Sequence, residues 1–196
     1  MFVLPGPVAR VTTSPVQEPV SIAEAKAHLR VTWGDEDGLI GNLIKAAREM
    51  VESDAEISLL PQTLTWYIDA FPAWEICLRR PPVNSISSIT YLDQDGTSQT
   101  LSASDYRFDG YSRPARITPA YNEEWPDTYQ VTNAVTIVAA AGYTSVSEIP
   151  QLAKQAVMML VSHWYRNRDS VSQTMTYDVK LSYDSILSRL RWSGYA

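Results

Sequence analysis

The residues best suited to chemistry crowd into Leu160–Ser170, which reads LVSHWYRNRDS. Ser162, His163 and Asp169 are the residue types of a nucleophile–base–acid triad, and Arg166, Asn167 and Arg168 lie among them. A triad needs the hydroxyl, imidazole and carboxylate hydrogen-bonded in series. On a helix, Ser162 and His163 diverge by about 100°, and Asp169 lies nearly two turns on, so the series cannot form. His163 then reads as a helix-flank residue or an interface contact. A second candidate is NEEW, where Glu123 and Glu124 adjoin Trp125. Adjacent residues on extended chain point to opposite faces and cannot flank one glycosidic bond. A solvated loop is the better reading. The third candidate is aromatic: Trp66, Trp74 and Trp125 could line a sugar- or base-stacking platform. Their surroundings carry more acids than bases, which suits core or interface roles better.

No metal or cofactor site is expected. His28 and His163 are the chain's two histidines and share no ligand spacing, and Cys77 is the single cysteine. A thiolate cluster and an internal disulfide are both excluded. No phosphate loop, dinucleotide fingerprint, HExxH, GxSxG or EF-hand pattern occurs. The formal net charge of −6 opposes a main role in gripping phosphates. DNA is therefore expected to pass nearby at most, without specific binding. No apolar run reaches the roughly 20 residues that span a bilayer. The opening MFVLPGPVARVTTSPVQEPV lacks the pattern of a signal peptide, so the chain is expected to act without secretion.

Three helices and a strand-rich insertion would position these residues. Residues 1–20, with prolines 5, 7, 15 and 19, read as a flexible arm. Ser21 and Glu24 form a capping box for a helix over about 21–31, whose apolar face is Ile22, Ala25 and Leu29. A second helix over about 37–55 opens on acids and carries Leu39, Ile40, Leu43, Ile44, Ala47, Met50 and Val51 on one face. Lys45, Arg48, Glu49 and Glu52 are assigned to its solvent side. From 61 to 143 the period shortens to that of strands: QTLTWYIDAF, EICLRR, a hairpin turning at Asp95-Gly96, SDYRFDGY, ARIT and AVTIVAAAGY. A third helix over about 150–168 starts at Pro150 and buries Ala153, Ala156, Val157, Leu160, Val161 and Trp164. The fold class is α+β: a helical core with an inserted β-rich segment and an extended C-terminal tail.

The tail, 169–196, alternates through MTYDVKLSY. This predicts a strand with Met175, Tyr177, Val179, Leu181 and Tyr183 on one face. Asp184 would then cap a short helix bearing Ile186, Leu187 and Leu190, with Arg189 and Arg191 opposite. The strand must pair either with the β segment or with a sheet of another chain.

The ordered series VSIAEAKAHLRVTWGDEDGLIGNLIKAAREMVE, QTLTWYIDAFP, LRRPPVNSISSITYLDQDGTSQTL, DYRFD, AVTIVAAAGY and IPQLAKQAVMMLVSHWYRNRD resembles the head–tail connector (adaptor) proteins of tailed phages over about 19–192. The resemblance implies a structural virion protein rather than an enzyme. It implies a ring of copies, commonly twelve, in the neck beneath the portal protein after DNA packaging, offering a surface to stopper or tail-completion proteins. It also implies synthesis in the bacterial cytoplasm and no membrane association. The core would be Leu39, Leu43, Ile44, Ala47 and Val51 with Ala153, Ala156, Val157, Leu160 and Trp164, within a connector domain over 21–168. The portal-docking element would be Met175, Tyr177, Val179, Leu181, Tyr183, Ile186, Leu187, Leu190, Arg191 and Trp192. The family's tail signature departs here as ILSRLRW. A stopper, tail-terminator or baseplate protein, or a carbohydrate-binding or hydrolytic module, are the alternatives, and the source is a phage or a phage-derived gene-transfer particle.

Overall fold

The structure is a computed structural model and describes residues 7–168 and 177–191. The chain divides into two compact units, one built from 7–14 and 61–142 and the other from 15–60, 143–168 and 177–191. The class is α+β, as expected, with four α-helices and two antiparallel sheets among the described residues.

The helical unit holds α1 (Ile22–Leu29), α2 (Asp37–Ala55), α3 (Gln151–Arg166) and α4 (Tyr177–Leu190). The capping box at the start of α1 is formed: Glu24 N–H donates to the Ser21 hydroxyl, and Ser21 N–H donates to the Glu24 carboxylate. Along α2, Ile40, Ile44, Ala47, Val51 and Ala55 meet Ala153, Ala156, Val157, Leu160 and Val161 of α3 in one core. Pro150 stands one residue before α3, where its carbonyl accepts from Ala153 and Lys154 N–H. Leu43 and Trp164 are only partly buried against this core.

Two assignments on α2 are corrected. Leu39 is 38% exposed, because the buried stripe runs through Ile40 and Ile44 and rotates Leu39 to its edge. Arg48 and Glu52, expected in solvent, are buried at 3% and 2% exposure. They can be inside because they satisfy each other and the chain around them. Arg48 Nη1 lies 2.9 Å from Glu52, and its Nε lies 2.7 Å from Glu18 in the segment entering α1. The second oxygen of Glu52 accepts the backbone N–H of Leu59 at 2.7 Å, beyond the end of α2. A buried charge is tolerated only with such a set of partners.

The third correction concerns the tail. From Tyr177 on, the expected strand is helix α4, and Asp184 lies inside that helix rather than capping it. Tyr183, Ile186, Leu187 and Leu190 recur at i, i+3, i+4 and i+7, and all four join the helical core. Leu181, expected on the same face as Tyr183, is 59% exposed. Two residues apart on a helix is about 200°, whereas on a strand it is one face. Met175 and Trp192 lie outside the described residues.

The β unit holds a five-stranded antiparallel sheet, ordered β1 (Ala9–Thr13), β2 (Gln62–Ile68), β8 (Val135–Ala141), β4 (Val83–Leu92), β5 (Ser98–Thr100). A three-stranded sheet is ordered β3 (Ile76–Leu78), β7 (Ala115–Pro119), β6 (Tyr106–Asp109). The expected arm therefore contains a paired strand, since Ala9–Val11 register with Trp66–Leu64. β8 is flanked on both sides, and its Val135, Ile137, Ala139 and Ala141 are buried in strict alternation. Leu64, Trp66, Ile76, Leu78, Ile89 and Ile117 complete one core shared by both sheets. Between β4 and β5, Gly96 takes φ +77°, which glycine adopts without cost, while the Asp93 carboxylate receives the N–H groups of Asp95 and Thr97.

Removing Arg48 would take away the guanidinium 2.9 Å from the buried Glu52 carboxylate and 2.7 Å from Glu18. Arg48→Ala is expected to lower unfolding stability by about 3–5 kcal/mol, read by urea denaturation, whereas Glu49→Ala on the exposed side should change it little.

Candidate functional site

The stretch LVSHWYRNRDS forms the last turns of α3 and the residues that close it. Its polar groups are engaged in bracing. Asn167 closes the helix, with its backbone N–H and its side-chain amide both donating to the His163 carbonyl at 3.0 and 2.9 Å. His163 is half-buried on the flank, and Asp169 lies outside the described residues. Tyr165 and Arg168 both reach Glu36, the residue preceding α2. The Tyr165 hydroxyl donates to one carboxylate oxygen, and Arg168 Nη2 lies 2.7 Å from the other. The guanidinium of Arg168 also sits over the Tyr165 ring, 4.6 Å from its centroid. Glu36 makes no capping bond of its own, so its carboxylate is left to join the ends of two helices. The Tyr165 hydrogen bond first, then Arg168, hold its carboxyl below the usual carboxylate range.

Helix α4 is fastened at the far end of α2. Tyr183 Oη donates to the Asp54 carboxylate at 3.0 Å, and Arg191 Nε donates to the Asp54 carbonyl at 2.7 Å. Burial, followed by the bond to Asp54, pushes the Tyr183 phenol well above its usual range. Of the residues expected to dock the portal, Tyr183 and Leu187 are thus buried within the unit, with Ile186 and Leu190 partly so. Leu181 and Arg191 are exposed, together with Lys180, Asp184, Ser185, Ser188 and Arg189. For Tyr177 and Val179 the helical backbone is described, and their side chains lie outside the described residues.

The aromatic candidates of the β unit do not form one platform. Trp66 is fully buried in the sheet core, whereas Trp74 is 67% exposed. Trp125 stacks on Phe71 with centroids 4.9 Å apart and donates its indole N–H to the Trp74 carbonyl at 2.9 Å. Tyr91 meets the other part of Phe71 edge-on at 5.6 Å. Glu123 and Glu124 are exposed in the loop beside them. Cys77 is half-buried, and burial first, then Glu75, pushes its thiol up, away from a reactive thiolate. Among the described residues, no three His, Cys, Asp or Glu side chains gather where they could hold a metal ion, and no helix is long and apolar enough to cross a membrane.

The polar groups therefore connect elements instead of converging on a reacting atom. Against known proteins, the model of the head completion protein family matches residues 19–179. The chain belongs to the head completion protein family. Among solved structures, it is similar to a chain in the virion of a native gene transfer agent (GTA) particle: 20% identity, TM-score 0.77, covering 96% of this chain and 97% of that one. A chain in the neck of an empty GTA particle computed with C6 symmetry gives 21% identity and TM-score 0.76, with the same coverage. One in the neck of a native GTA particle computed with C12 symmetry gives 20% and 0.75, again over 96% and 97%. No curated protein matches the chain. At these identities the structural likeness establishes the fold.

The braces were not foreseen from the sequence. Tyr165 and Arg168 do stand at i, i+3, which places them side by side on α3, but nothing in the spacing points to Glu36, 129 residues away from Tyr165. Glu36 has a depressed folded-state pKa, so its contribution is present above its unfolded value and is lost as pH falls through the folded one. Acidification below about pH 4 should loosen the α3 terminus before global unfolding, seen as faster amide exchange at 165–168. Glu36→Gln should show that loosened state already at neutral pH. Leu187→Ala is expected to cost about 2–5 kcal/mol in chemical denaturation, an effect that Leu181→Ala on the exposed face should lack.

Proposed function

We propose that this chain is a structural neck protein. Copies form a ring, of twelve by this reading, that completes a DNA-filled head beneath the portal and offers a surface to stopper or tail-completion proteins. The observation that carries the reading is the family match over 19–179, joined to a fold shared along nearly the whole chain with proteins of GTA particles. Two of those come from necks treated with sixfold and twelvefold symmetry, which supports a cyclic assembly here. The net charge of −6 per chain fits a ring that lets DNA pass without holding it. No turnover is assigned, and no cofactor.

Portal docking belongs, on this reading, to the C-terminal segment. With Tyr183 and Leu187 committed to the helical core, the docking face of α4 is its exposed side, led by Leu181 and Arg189. Heads filled with DNA but lacking this chain should leak or fail to bind tails, and adding the purified protein should restore them, with a ring visible by electron microscopy at the portal vertex. Leu181→Asp with Arg189→Glu should fold as the wild type yet lose that restoration. Heads that mature normally without the chain would sink the neck role.

A further inference from the structure

Two loops and a turn of the β unit form one surface to which neither the family nor its neck role gives a task. Loop 69–75 follows β2, the turn 93–97 joins β4 to β5, and loop 120–133 leads toward β8. Hydrogen bonds tie the three together. The Trp125 indole N–H donates to the Trp74 carbonyl, and Asn133 N–H to the Asp69 carboxylate. Tyr129 N–H donates to the Leu92 carbonyl, and the Gln94 amide to the Asp127 carboxylate. Trp125 is fixed in turn by its stack on Phe71. On this braced backbone Trp74 is 67% exposed and Tyr121 82%, and Tyr129 and Val131 are exposed as well. Large side chains held in water by an ordered backbone lose little freedom when covered, which suits them as anchors of a protein contact. Trp and Tyr are enriched at such contacts.

The charge around these anchors has one sign. The three segments carry seven carboxylates and no lysine, arginine or histidine. Two of the seven are engaged within the unit: Asp93 accepts from Asp95 N–H, Thr97 N–H and the Gln99 amide, and Glu75 lies 3.6 Å from Arg116. Asp95, Glu123 and Glu124 are exposed, with side chains that bond nothing among the described residues, and Asp69 and Asp127 each use a single oxygen. On the adjoining strands β6 and β7, Arg116 is held by Asp109 at 2.9 Å, and Arg107 is the only other cation. One further guanidinium against five such carboxylates leaves the surface acidic. It repels a phosphate backbone, and a second copy would bring its own net charge of −6.

We propose that this surface receives an arginine-bearing segment of a different protein, whose guanidinium groups pair with Asp95, Glu123 and Glu124 and lie over the exposed Trp74 and Tyr rings. Charge complementarity selects a cationic occupant, and the rings select arginine over lysine. A planar guanidinium stacks on an aromatic face and forks onto a carboxylate, whereas an ammonium is a compact, strongly hydrated charge. The partner's place in the particle, as the component that joins after this chain, rests on the neck reading above; its chemistry rests on the loops alone.

The test follows amide and indole NMR signals of the full chain during titration with the acetylated, amidated pentapeptide Gly-Arg-Gly-Arg-Gly and its lysine and citrulline counterparts. Saturable shifts should centre on Trp74 and residues 121–131. Arginine should bind at least about threefold tighter than lysine and at least about tenfold tighter than uncharged citrulline. Raising salt from about 50 to 500 mM should weaken the arginine peptide severalfold. Glu123→Gln/Glu124→Gln removes two acids, taking the net charge from −6 to −4, and should weaken binding by at least about fivefold. Asp35→Asn/Glu49→Gln makes the same net change in the helical unit and should leave binding as it is. Trp74→Ala should weaken binding without unfolding the loop, because Trp125 bonds its backbone carbonyl. Thermal melts verify that each variant is folded. In the head assay, Trp74→Ala/Glu123→Gln/Glu124→Gln should form the ring and seal filled heads, yet fail to acquire tails. Equal binding of the citrulline peptide, absence of saturable shifts, or saturable shifts of the same signals by cellotetraose overturns the proposal. So does a triple variant that acquires tails normally, or one that loses the ring, which would make this surface a contact between copies. Arginine-selective binding by a chain that plays no part in heads would sink the neck reading and leave the arginine site standing.

Discussion

The helical unit depends on a buried set of charges, Glu18–Arg48–Glu52, closed by the Leu59 N–H. Its members come from three parts of the chain's path: Glu18 from the segment entering α1, Arg48 and Glu52 from α2, and Leu59 from the segment leaving α2. Burying a guanidinium and a carboxylate is costly, and the cost is recovered only when every donor and acceptor finds its partner in one geometry. The network therefore ties the segment entering α1 and the segment leaving α2 to the body of α2. The apolar stripe alone would tolerate sliding; the charges do not.

The same logic recurs at both ends of α2. Glu36 collects Tyr165 and Arg168 at the start, and Asp54 collects Tyr183 and Arg191 at the end. In each case a carboxylate or its backbone carbonyl draws in a phenol and an arginine from a helix distant in sequence. In an enzyme these residue types would converge on a cleft. Here they are spread along one helix as fasteners, which suits a member of the head completion protein family whose work is to hold a position in an assembly.

The β unit contributes differently. Its interior is ordinary, a sheet core centred on β8, and its individuality lies in its loops. Exposed aromatics and carboxylates stand in the loops that follow β2 and β4.

Much of this was legible in the sequence, and the limits of that reading are physical. The Ser21–Glu24 box, the stripe of α2, the start of α3 just after Pro150 and the strand sequence from Gln62 to Ala141 are local patterns, and local hydrogen bonding or periodicity decides them. The failures all involve partners far along the chain. MTYDVKLSY alternates like a strand, yet Tyr183, Ile186, Leu187 and Leu190 also keep helical spacing, and only a core able to receive that stripe selects the helix. Arg48 and Glu52 look like solvent-facing charges until Glu18 and Leu59 are brought against them. Residues 9–13 look like a loose arm until β2 supplies backbone partners. The sequence by itself determined the types of the elements from α1 to α3, the α+β class and the absence of any plausible triad spacing in LVSHWYRNRDS. The tertiary structure alone decided which charges are buried and which way the tail helix faces, because each of these depends on pairing energies between groups whose separation along the chain carries no information about their distance in space.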